Sequence, residues 1–307
     1  MTVKLSVIIP LFNEEDNLEP LYTRLTQVIH GTGKTYEIIF VDDGSTDNSF
    51  QILSGLHRKD KYVKIIRFTR NFGHDIARAA GLNYCSGDCA VLMDADLQDR
   101  PEEIPKLLAK LDEGYDVVFG RRKRRKDAFF KRLTSKLYLN LLATLTNHKL
   151  NPDIGPLQVM TRRVIDYMKE IGERSRFYGG LLGWLGFPYL LVDVEHDDRY
   201  AGKTKYNLWK LTKYAIEGIV SFSEMPLHLA GYFGLIVSFI SFILGVYMIL
   251  GWFIWDVKVA GYTSIVVSVF FLGGVVLVVL GVIGQYIGKI HNEVKQRPLY
   301  VVREIIE

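Results

Sequence analysis

The sequence predicts an α/β protein, a mainly parallel, doubly wound sheet followed by two long apolar helices. Three observations lead there. Through Phe119, short aliphatic runs alternate with segments of helical spacing, the pattern of strand–helix–strand units. Polar clusters fall at the same end of several of these strands. Near the C-terminus, Leu229–Trp255 and Val259–Gly288 contain no Asp, Glu, Lys, Arg or His.

The elements follow in order. Leu5–Pro10 reads as a buried strand ended by proline. Asn17–Ile29 has helical spacing, with Leu18, Leu21, Leu25 and Val28 on one side. Tyr36–Val41 is a second strand, and the turn Asp42–Asp47 leads into a helix through Leu56. Val63–Phe68 is a third strand, Ile76–Tyr84 a helix, and Cys89–Met93 a fourth strand. Pro101–Leu111 is a helix and Asp116–Phe119 a fifth strand. Ligands of such sheets bind beyond the carboxyl ends of the strands. Pro10, Asp42-Asp43 and Asp94-Ala95-Asp96 all fall there. Phe129–Leu145 and Leu208–Phe222 read as amphipathic helices beside basic residues, suited to a membrane interface.

The triplet Asp94-Ala95-Asp96 ends an apolar run. If the strand continued, its two carboxylates would share a face, and two hard oxygen ligands suit a divalent cation carrying a diphosphate. Alone the pattern is also that of a surface turn. A G-x-G-x-x-G after the first strand and a G-x-x-x-x-G-K-[ST] segment are both absent, which excludes a dinucleotide fingerprint and a P-loop.

Each apolar run is long enough to cross a hydrocarbon core of about 30 Å. The link between them carries Asp256 and Lys258. Lys203, Lys205, Lys210 and Lys213 precede them, and Lys289, Lys295, Arg297 and Arg303 follow. The positive-inside rule therefore places both flanks in the cytoplasm and the link outside. The N-terminus does not read as a signal peptide, because Asn13-Glu14-Glu15 closely follows Val7-Ile8-Ile9. The formal charge of +4 is concentrated in Arg121–Lys126 (RRKRRK), with Lys131, Arg132 and Lys136 beyond. A solvated charge run, nucleic acid, and anionic headgroups or a lipid phosphate are its three readings; the apolar spans favour the last. Cys85 and Cys89 are expected to be reduced thiols packed near a core strand.

Leu5–Glu14 (LSVIIPLFNE), Val41–Asp47 (VDDGSTD), Asp94–Asp99 (DADLQD) with Pro101-Glu102, Arg199–Tyr206 (RYAGKTKY) and the tail Glu293–Tyr300 together resemble the inverting GT-A-fold glycosyltransferases of family 2. Within it the chain is similar to polyisoprenyl-phosphate glycosyltransferases, bactoprenol glucosyltransferases in particular, and more distantly to dolichyl-phosphate mannose synthases. The resemblance covers nearly the whole chain. It implies a nucleotide-sugar donor, UDP-glucose first among them, an undecaprenyl or other polyprenyl phosphate acceptor, a lipid bilayer around the spans, and Mg²⁺ or Mn²⁺.

The implied organisation is a cytoplasmic GT-A domain over residues 1–206, with an interfacial helix near 129–145. A juxtamembrane helix over 207–227, transmembrane helices near 229–255 and 259–288 within 228–288, and a cytoplasmic tail over 289–307 follow. A homo-oligomer packed through the spans is expected. The resemblance assigns Pro10, Phe12, Glu14, Asp43, Asp94 and Ala95 to the donor nucleotide, and Asp96 and Gln98, with Asp94 nearby, to the metal. Asp42 braces the turn that Gly44 permits. Arg122, Arg132, Ser135, Arg199 and Lys205 fall to the diphosphate and the acceptor phosphate, where arginine's planar fork suits the ligand. Asp96 and Arg122 are counted with Asp153 among the catalytic residues. Asp153 matches an aspartate proposed as catalytic base in the family, but a phosphate monoester, with a second pKa of about 6, is already largely ionised. A base and an orienting group both remain open there. Pro156 departs from the acidic or small polar residue that many relatives carry. His74, in Arg70–His74, is expected to be structural.

Overall fold

The computed structural model describes residues 4–122, 154–172, 178–197, 225–255 and 261–307. The chain divides into two compact units, Met1–Lys210 with Arg297–Glu307, and Leu211–Gln296.

The first unit is built on one sheet of eight strands in the order β7-β5-β6-β4-β1-β2-β3-β8. The predicted strands are β1 (Leu5–Leu11), β2 (Tyr36–Asp42), β3 (Val63–Phe68), β4 (Cys89–Leu92) and β5 (Val117–Arg122). Strands β4, β1, β2 and β3 are mutually parallel, and every residue of β1 and β2 is buried. Continuous Val, Ile, Leu and Phe runs fit this placement, because both faces of these strands are covered.

Three strands extend this frame beyond the sequence reading. β6 (Ile154–Thr161) enters antiparallel between β4 and β5, and β7 (Tyr189–Val194) pairs parallel with β5. β8 (Val302–Ile306), within what the sequence suggests is a tail, pairs antiparallel with β3 and forms an edge of the sheet.

Helices α1 (Leu18–Gly31), α2 (Ser49–Lys59), α3 (His74–Tyr84) and α4 (Ile104–Asp112) follow β1 to β4, with a 3₁₀ turn over Pro101–Glu103 before α4. α5 (Arg162–Glu170) and α6 (Tyr178–Leu185) lie between β6 and β7. Leu18, Leu21, Leu25 and Ile29 of α1 pack with Val7, Ile9, Phe40 and Val91 in the main core. Burying one such leucine contributes about 1.5–3 kcal/mol. On the other face α3 approaches β1 so closely that a Cβ at Gly81 would lie 2.1 Å from the Ile8 methyl. Cys85 and Cys89 are free and buried, as the sequence suggests, and burial pushes the Cys89 thiol up to about 11.

The second unit contains α7 (Met225–Trp255) and α8 (Tyr262–Val294). Both are long and apolar enough to cross a membrane. Their large apolar side chains are exposed, Phe270 by 77% and Leu277 by 70%, so that these surfaces need an apolar covering. The predicted helices 129–145 and 208–222 lie outside the described residues.

Candidate active site

The carboxyl ends of β1, β2, β3 and β4 share one side of the parallel sheet, and their loops are bonded to one another. Asn13, in a left-handed conformation at φ +54°, donates its amide to Ser45 Oγ (2.9 Å) and accepts from the Thr46 amide (2.8 Å). The Glu14 amide reaches Ser49 Oγ at 3.1 Å, and the Glu15 carboxylate takes the Asn48 amide at 3.0 Å. Glu14's own carboxylate accepts from Asn17 Nδ2 at 2.7 Å. The loop after β1, with Pro10 at the end of the strand and Phe12 just beyond, is thus fixed to the loop after β2.

Within the second loop the two aspartates differ. Asp42 braces the turn, as expected, by accepting from the Ser45 amide at 2.8 Å. Asp43 accepts from the amides of Phe72 and Gly73 at 2.6 and 2.9 Å, and so clamps the loop after β3. Burial raises the Asp43 carboxyl above its ordinary value despite these two donors. Gly44 has φ +74°, and a Cβ there would stand 2.5 Å from the Arg70 carbonyl carbon. Glycine is therefore required both for conformation and for close approach.

The strand-face reading of the acidic triplet is corrected. β4 ends at Leu92, so Asp94, Ala95 and Asp96 lie in the connection beyond it, which turns through Leu97 at φ +60°. Leu97 is buried, and its packing holds a backbone conformation that costs a non-glycine residue about 1–2 kcal/mol. Asp94 turns toward α3, where its Oδ1 lies 3.0 Å from both His74 Nε2 and Arg78 Nη2. Desolvation opposes ionisation of Asp94, but the Arg78 charge and the His74 contact outweigh it. They hold the carboxyl well below the usual range. Asp96 is half-buried and accepts from the Gln98 amide at 3.2 Å.

His74 is therefore a partner of a candidate nucleotide-binding residue, and Arg78 is a second partner that the sequence reading missed. α3 begins at His74, two residues before the predicted helix, and so carries both, but only the tertiary fold brings them to Asp94. A further missed group follows the metal-binding candidates. Asp99, 1% exposed, meets His196 Nδ1 at 3.2 Å, and the Asp197 amide donates to the Gln98 carbonyl at 2.9 Å. Arg100 pairs with Asp197 at 2.5 Å and also with Glu195. The segment Glu195–Asp197 is thus fastened to the acidic loop just before Arg199 in the sequence.

Asp96 and Gln98 offer hard oxygen donors suited to Mg²⁺ or Mn²⁺. Among the described residues no group of three or more His, Cys, Asp or Glu could hold a metal ion. The donor set fits an ion that shares its shell with substrate phosphates. Arg122 ends β5, while Arg132, Ser135, Asp153, Arg199 and Lys205 lie outside the described residues.

Residues 6–167 match the model of glycosyl transferase family 2. An uncharacterized glycosyltransferase of Synechocystis is 42% identical, across 99% of this chain and 96% of its own. The bactoprenol glucosyl transferase of Shigella phage SfII is 39% identical, across 98% of each chain. Among solved structures, glucosyl-3-phosphoglycerate synthase from Mycobacterium tuberculosis aligns with a TM-score of 0.51 and 20% identity. That alignment covers 72% of this chain and 80% of that one, and supports the GT-A-like fold. With the family model matching more than half of the sequence and its relatives matching nearly all of it, the chain belongs to glycosyl transferase family 2.

Proposed function

We propose that the protein transfers glucose from UDP-glucose to a polyprenyl phosphate, undecaprenyl phosphate in a bacterial membrane, at the cytoplasmic face. The observation that carries this reading is similarity to bactoprenol glucosyl transferases along the whole chain, the apolar helical pair included. The sheet supports the membrane topology. The first unit contains both Met1–Lys210 and Arg297–Glu307, with β8 paired in its sheet. A segment that leaves one side of a membrane and returns to it crosses an even number of times, which fits α7 and α8 as a transmembrane pair.

In the proposed reaction the loops of Pro10, Phe12, Glu14, Asp43, Asp94 and Ala95 hold the nucleoside. Asp96 and Gln98 hold a divalent ion, whose chemistry when bound is to neutralise the departing diphosphate. Arg122, Arg132, Ser135, Arg199 and Lys205 hold the diphosphate and the acceptor phosphate. An acceptor phosphate oxygen attacks C1 of the sugar as the bond to UDP breaks, inverting an α-linked donor into a β-linked product. Because the acceptor is largely ionised at neutral pH, Asp153 orients it rather than removing a proton. Asp153→Asn then lowers turnover by a similar factor at pH 6 and pH 8. A loss at pH 6 that recovers at pH 8 would instead identify a base.

The decisive test combines purified full-length protein, undecaprenyl phosphate and a panel of nucleotide sugars with Mg²⁺ or Mn²⁺, with lipid products read by mass. A hexosyl-phosphate lipid formed from UDP-glucose in preference to the others is expected. Preference for another donor would reassign the sugar, and no transfer to any prenyl phosphate would reject the function.

A further inference from the structure

The sheet edge formed by β8 meets the donor side through a short series of contacts. The Thr69 amide donates to the Val301 carbonyl at 3.0 Å, just beyond the β3–β8 pairing. The Tyr300 ring stacks on Phe68, with centroids 5.0 Å apart and planes at 15°. Its Oη accepts from Asn83 Nδ2 at 3.1 Å, tying it also to the end of α3. Phe68, 1% exposed, meets the edge of Phe72 at 5.7 Å. Phe72 in turn gives its amide to Asp43, and the Arg70 guanidinium covers the Phe72 ring at 4.0 Å.

We propose that Tyr300 is a positioning residue for the donor nucleotide: through Phe68 and Phe72 it fixes the 70–73 loop against Asp43, so the C-terminal strand forms part of the donor site's support. Phe68 is a fully buried pivot in contact with both aromatic rings. Removing the Tyr300 ring takes away the packing on one face of Phe68, which can then shift and change its contact with Phe72. Movement of Phe72 carries its amide away from Asp43, whose raised carboxyl already reflects costly burial. The inference rests on the reading of Asp43 as a nucleotide residue, while the contacts from Tyr300 to Phe72 stand without it.

The test uses the full-length protein in nanodiscs and compares Tyr300→Ala with Tyr300→Phe, which keeps the ring but loses the hydroxyl. Tyr300→Leu, which keeps apolar volume without stacking, replaces the alanine variant if that one fails to accumulate. Tyr300→Ala is expected to raise the KM for UDP-glucose about three- to tenfold, the scale of one lost aromatic pair. Its kcat and its KM for the lipid phosphate should stay within about twofold, and Tyr300→Phe should resemble the parent. Hydrogen exchange at Phe72 and Gly73, measured without any substrate, should quicken in Tyr300→Ala and not in Tyr300→Phe. Unchanged exchange at these amides would overturn the mechanical link whatever the substrate is. Faster exchange with an unchanged donor KM would overturn the role in nucleotide positioning. A parent protein that neither binds UDP nor transfers glucose would reject the underlying function, while the exchange result still decides the link.

Discussion

The two ends of the parallel strands bury carboxylates in different ways. At the amino end, Glu37 is 2% exposed and accepts from Ser6 Oγ (2.5 Å), the Ser86 amide (2.6 Å) and Ser86 Oγ (2.9 Å), with Lys64 Nζ at 3.1 Å. Desolvation works against its charge, but these hydroxyls, the amide and Lys64 together hold its carboxyl below the ordinary value. The cluster joins the starts of β1, β2 and β3 to the approach of β4. At the carboxyl end, Asp43 holds backbone amides of a loop, Asp94 leans on Arg78 and His74, and Asp96 sits half-buried in a turn. Side chains of the sheet and its approaches satisfy the first carboxylate. The second group spends its bonds on shaping loops around a potential ligand. Burial of acids alone therefore does not mark a site; what the acids hold distinguishes the two ends.

This contrast can be broken from either side. The largest effect is expected from Asp96→Ala, which removes a carboxylate assigned to the ion at the leaving diphosphate. It should lower kcat about 10²- to 10³-fold, the scale of losing one preorganised electrostatic group. Single-turnover transfer would check this, with an unchanged melting temperature showing that the fold survives. Glu37→Gln should do the reverse, costing about 1–3 kcal/mol of stability through buried donors left poorly matched. Its donor KM should stay within about twofold of the parent, since the cluster lies at the far end of the strands. Denaturant unfolding alongside initial rates would separate the two.

Arg78→Ala should have the smallest effect at neutral pH and a clear one in acid. With Arg78 present, Asp94 is held below the usual carboxylate range, so its contribution to stability is present above the unfolded value and fades as pH falls through the lower folded value. Without Arg78 the folded value rises, and loss of donor affinity on acidification should begin at higher pH than in the parent. Nucleotide binding titrated from about pH 7 down to the lowest pH at which the fold persists would show the displacement, about one pH unit or more for the loss of a close opposite charge. Coincident curves would mean that His74 alone sustains the carboxylate.

Much of this arrangement was legible in the residues. β1, β2 and β4 announce themselves as aliphatic runs because they are buried on both faces, and their carboxyl ends gather Pro10, Asp43 and the acidic triplet. β6 was hidden by Gly155 and Pro156 and by Gln158 among its apolar residues. β8 was hidden because Val302–Ile306 is a short edge strand with Arg303 and Glu304 within it. At Asp94 the apolar run outlasts the strand, which ends at Leu92. Nothing in local sequence shows that the chain turns toward α3 there. His74, Arg78 and His196 act through partners distant in sequence, so no periodicity could have paired them with Asp94 or Asp99.

The pairing of β8 with β3 also orders the assembly of the molecule. Val302–Ile306 is made after both apolar helices, whereas Val63–Phe68 is made well before them. Until Val302–Ile306 is made, β3 presents an open strand edge, the kind of surface that templates association with other chains. If α7 and α8 cross a membrane as proposed, closing it requires Val302–Ile306 to return to the side where the sheet already waits. A helical pair inserted with one crossing missing would leave the last strand across the bilayer and the sheet unfinished. Under the proposed topology β8 thus makes completion of the sheet depend on correct membrane insertion, and an unclosed β3 edge would distinguish misinserted chains from finished ones.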